Sequence, residues 1–150
     1  MVCLIVTLII GHEITNSTKI MAFNYSDDYV SFTTIGDTSF EKGYVSTKNP
    51  HIHIDKDFKI NNSSDYLLNG IETESYNIIS DYNDTNSNGV NISFKILNVT
   101  DRNTNSPIEI YNLFVNCTNG NIYRVVLFGD NLDNKINNTA KQVFDTLKLK

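Results

Sequence analysis

His51, His53 and Asp55 stand at alternating positions in the segment HIHID, and residues two apart on a strand share a face. Two imidazoles and a carboxylate in line form a ligand set that zinc or nickel accepts. These three are the metal candidates of the chain. The intervening Ile52 and Ile54 read as a buried face, which equally leaves the histidines solvated on the open side of a half-buried strand. Glu72 and Glu74 also alternate, and would serve either as an acid–base pair or as solubilising charges on an exposed face. A third group, Asp81, Asn83, Asp84, Asn86 and Asn88, carries the oxygen ligands that calcium takes. It lacks the spacing and closing Glu of an EF-hand loop, so a solvated loop is the plainer expectation.

Nucleophilic chemistry finds less support. Cys117 lies beside Phe114 and Val115 with no histidine near it in sequence, which predicts an inert core thiol. Its one possible partner, Cys3, falls inside an apolar N-terminal run, and two cysteines give neither a zinc spacing nor a disulfide framework. There is no Gly-x-Ser-x-Gly elbow and no Gly-rich phosphate loop. The expectation is a protein that is not an enzyme and needs no cofactor; an unrecognised hydrolase is the weaker alternative. The net charge is −5, and Arg102 and Arg124 are the only arginines. Nucleic-acid binding rests on neutralising phosphates with clustered cations, so nucleic acid is excluded as a partner class, as is a polybasic lipid-binding patch.

The elements that must position these residues are mostly strands. Alternating or β-rich patterns cover 29–34, 39–46, 51–55, 71–80, 89–99, 108–117 and 122–128, with Ile35-Gly36-Asp37 as the first turn. Asn119-Gly120 between the last two is a strong hairpin signal. Residues 61–68 offer N-caps followed by Tyr66, Leu67 and Leu68, a short helix stopped at Gly70. The run 81–89 reads as a loop. Leu132, Ile136, Ala140, Val143, Phe144 and Leu147 then recur at helical spacing, with Lys148 and Lys150 at the cationic end of that helix. The fold class is α+β: an antiparallel sheet of about six strands packed by a C-terminal helix.

Met1 to Ile10 is unbroken apolar sequence, shorter than the roughly 20 residues needed to span a bilayer. It fits the inner part of a longer signal or anchor segment, or else a buried strand. Asn-x-Ser/Thr acceptors at Asn16, Asn24, Asn61, Asn62, Asn83, Asn91, Asn98, Asn116 and Asn137 are about twice as many as composition alone would give. Together these divide the chain into an apolar anchor or signal remnant (1–13), a polar stalk (14–22) and one α+β domain (23–150).

The stretch YNLFVNCTNGNIYRVVLFGD (111–130), running into NTAKQVFDTLKLK (138–150), resembles the end of PsbP-like domains, with Ala140, Val143, Phe144 and Leu147 on the helix pattern. SSDYLLNGIETESYNIIS (63–80) is similar to the helix-then-strand centre of that family. The family's aromatic-Pro-x-Trp opening is missing, and this chain has no Trp. The resemblance implies an α-β-α sandwich, an extracytoplasmic setting, and a non-catalytic accessory or binding role, as in small surface proteins of archaea. The resulting expectation is a membrane-anchored or exported recognition module. It would meet the membrane through its N-terminal segment and bind an unknown protein or surface ligand. A metal- or cell-wall-ligand-binding surface protein is the alternative.

Overall fold

The computed structural model describes residues 13–17, 21–26, 28–32, 40–55, 64–69, 71–73, 75–117, 120–129 and 134–150. The apolar run 1–10, Cys3, the turn at 35–37, the N-caps at 61–63, Glu74 and Leu132 lie outside the described residues.

Seven strands form one antiparallel sheet in the order β3-β4-β5-β9-β8-β7-β6. They are β3 (Val30–Phe32), β4 (Phe40–Val45), β5 (His51–Asp55), β6 (Tyr76–Thr85), β7 (Asn91–Thr100), β8 (Pro107–Asn116) and β9 (Ile122–Gly129). Two meanders, β3-β4-β5 and β6-β7-β8-β9, meet where β5 pairs with β9: His51 faces Phe128, His53 faces Val126 and Asp55 faces Arg124. The central strands β8 and β9 are buried on both faces, which is why they read as nearly continuous apolar runs instead of alternating.

One face of this sheet carries Ile52, Ile54, Ile92, Phe94, Leu113, Val115, Val125 and Leu127. It is covered by helix α1 (Lys135–Thr146), through Ile136, Ala140 and Val143, and by a second, three-stranded sheet. That sheet has the order β1-β2-β10, from β1 (Glu13–Ser17), β2 (Met21–Ser26) and β10 (Lys148–Leu149). The opposite face presents Leu97, Val99, Ile110, Phe114 and Val126 to a 3-10 helix, Ser64–Leu68, whose Leu67 is buried there. The class is therefore α+β, mostly antiparallel sheet with one C-terminal helix.

Three segments differ from the sequence expectation. Residues 14–22, expected as a stalk, include most of β1 and the start of β2, and Met21 and Ala22 are buried. The polar look of β1 misleads because it is a pairing strand for the apolar β2 (MAFNYS). Strand β6 begins at Tyr76 and runs through Thr85, so Asp81 to Thr85 are not loop; pairing with β7 overrides their turn-prone composition. After Leu147, whose ψ of 129° is extended, the chain leaves the helix, and Lys148 pairs with Ala22 across β10 and β2.

Candidate functional site

His51, His53 and Asp55 do share one strand face, the face that also holds Arg124 of β9. Asp55 is turned onto Arg124: its Oδ2 accepts from Nε at 2.8 Å and Nη2 at 2.5 Å, and both side chains are almost wholly buried. The guanidinium also donates to the Tyr66 carbonyl, while Asn112 donates to the Leu67 carbonyl at 3.0 Å. Two polar side chains of the sheet thus hold the 3-10 helix by its backbone. Asn69, just beyond it, takes a left-handed φ of 51° that Asn tolerates, and its amide lies 3.4 Å from His53 Nδ1. Both imidazoles pack edge-on against Phe128 at about 5 Å. Burial lowers the pKa of each below 6.5; at His53 Asp55 opposes that effect, and His51 and Arg124 add to it. Among the described residues no group of three or more His, Cys, Asp or Glu is gathered to hold a metal ion. The geometry here is that of a clasp between sheet and 3-10 helix.

The oxygen-rich run 81–88 is dispersed in the same way. Asp81 faces Lys95 across the β6–β7 pair at 3.4 Å. Asn86 is buried, and its carboxamide donates to the carbonyls of Phe144 at 2.8 Å and Leu147 at 2.6 Å while accepting from the amides of Asn88 and Val90. Asn88 adds a second bond to the Leu147 carbonyl. These two asparagines satisfy carbonyls that every helix leaves open at its C-terminus. Gly89, at φ 76°, gives the hairpin its left-handed residue. Glu72 is exposed. Cys117 is buried, its thiol 3.7 Å from the Val115 carbonyl. Of the sequon asparagines, Asn83, Asn91, Asn98, Asn116 and Asn137 are exposed, and Asn24 is half-buried.

A groove of about 270 Å³ that the sequence reading did not single out lies between α1 and the outer strands of the sheet. Tyr82, Phe94, Tyr111 and Phe144 wall it, with Asp84, Asn137, Lys141 and Asp145 among its polar lining. Tyr82 stacks on Phe94 at 4.7 Å with the rings nearly parallel, and Phe94 meets Phe144 at 5.4 Å. Tyr82 stays 46% exposed because β6 is an edge strand that α1 does not reach across. The Tyr111 phenol is pushed up to about 12, by burial first and then by Glu109. Tyr82 is raised by burial and by Asp84. Such walls can hold a small ligand by stacking and orient it by the rim. Spacing along the chain gave no signal for this groove, because its residues come from β6, β7, β8 and α1.

No family model matches the chain, and no curated protein is similar to it in sequence. Among solved structures it is similar to a Pseudomonas aeruginosa protein of unknown function, with a TM-score of 0.39 and 9% identity over 82% of this chain and 86% of that one. Similarity at that level carries no argument about either protein.

Proposed function

We propose that this protein is a non-enzymatic recognition or accessory domain working outside the cytoplasm, held near a membrane or exported by its N-terminal segment. The observation that carries the recognition reading is the aromatic groove opening at the β6 edge. Three of the large apolar side chains most exposed among the described residues, Ile78, Ile79 and Tyr82, lie on that one strand. An edge that keeps apolar groups in water beside an open groove is the usual character of a contact surface. The extracytoplasmic setting rests on the apolar run 1–10 and on the sequons, five of whose asparagines are exposed and open to modification. The PsbP-like resemblance supports the same reading, with the 3-10 helix on the far face as the third layer of an α-β-α sandwich.

Cell fractionation of the tagged native gene, with intact-mass measurement, tests the setting. Recovery in the membrane or secreted fraction, with glycan mass or a processed N-terminus, is the expected result. A cytoplasmic product of unmodified mass overturns it.

A further inference from the structure

The charges around the groove are unbalanced. Asp84 and Asp145 line it, and Glu109 acts on the hydroxyl of Tyr111 in its wall. Against these carboxylates stands Lys141, already bonded to Asp145 at 2.8 Å one helical turn away. Asp84 spends one oxygen on the Thr85 amide. The walls are aromatic, and the faces of Tyr and Phe rings carry negative quadrupole density. An anion would be repelled by rim and walls alike. An inorganic cation would gain from the carboxylates but find no converging ligand set among the described residues. A cation clothed in apolar groups gains from both, because its charge meets the rim and its methyl or methylene surface meets the rings.

We propose that the groove between β6 and α1 binds an organic ammonium ion whose nitrogen carries methyl or alkyl groups. The proposal rests on the reading of this groove as the recognition surface. Tyr82 and Phe94, stacked on each other, supply one aromatic wall, and Tyr111 and Phe144 supply the rest. Asp84 supplies the charge nearest the open edge. A volume of about 270 Å³ suits a head group of a few heavy atoms.

The test is an NMR titration of the full chain at low ionic strength with choline and, separately, with its uncharged isostere 3,3-dimethyl-1-butanol. The expected result is saturable shifts at Tyr82, Tyr111 and Phe144 with choline, and binding of the isostere weaker by about tenfold. Asp84→Asn, an exposed and nearly isosteric change, is expected to weaken choline by roughly threefold, and Tyr82→Ala to remove the shifts. Equal binding of the isostere overturns the cation and leaves the groove as a recognition surface. Choline shifts that persist unchanged in both variants overturn the location. No saturable shift with either compound overturns the proposal and also removes the groove from the functional reading, whereas a cytoplasmic location alone leaves the groove untouched.

Discussion

Arg124 spends its guanidinium on two segments far from it in sequence, Asp55 on the neighbouring strand and the Tyr66 carbonyl of the 3-10 helix. A charge this deeply buried is tolerable only while its partner remains. Asp55→Ala is therefore expected to cost about 3–5 kcal/mol, because it strands the cation. The double variant Asp55→Leu with Arg124→Met is expected to be less destabilised than the sum of the singles. Urea unfolding of the four proteins measures this, and simple additivity would show that the pair does not act as a unit. The histidines beside it give a pH signature. Burial lowers both pKa values from 6.5, so below that pH the unfolded chain binds more protons than the native one, and stability is lost as the pH is lowered. The urea midpoint is expected to be flat above about pH 7 and to drop as the pH is taken below 6.5, with the drop reduced in His51→Gln with His53→Gln. An unchanged drop in that variant would assign it to other groups.

At the scale of elements, the join between the β6–β7 hairpin and helix α1 depends on one carboxamide. Asn86 both builds its own turn and terminates the helix, so truncation removes four hydrogen bonds together. Asn86→Ala is expected to cost about 2–3 kcal/mol in thermal or chemical unfolding. Asn86→Asp is expected to be worse, because it faces an anion to the negative end of the helix dipole and loses both donors. The sequence made the strand that follows plain. The alternation of Val90, Ile92, Phe94 and Ile96 fixes β7, and the bounds of β5 coincide with HIHID. It concealed Asn86, because a turn-forming asparagine and a helix-capping one look alike until the helix is placed against the turn. The aromatic groove was illegible for a related reason: Tyr82 sits in a run of Asp, Asn and Ser, and its stacking on Phe94 follows from register alone.

For the molecule as a whole, the two covered faces of the seven-stranded sheet are unequal. Among the described residues, one carries α1 and the three-stranded sheet, the other a 3-10 helix and its flanks. The sheet and the C-terminal helix were readable from periodicity, because apolar spacing follows directly from burial on one face. The second sheet was not, because its strands are short, β1 is polar, and β10 has only two residues. Its central strand, β2, has the later-made β10 as one neighbour, and the Asn24 amide donates to Thr146, 122 residues further on. On a ribosome adding roughly 5–20 residues each second, Met21, Phe23 and Tyr25 therefore wait about 6–24 s for the elements that cover them. During that interval the chain has no complete core to close. It is then both a substrate for chaperones and still loose enough to be threaded through a narrow channel.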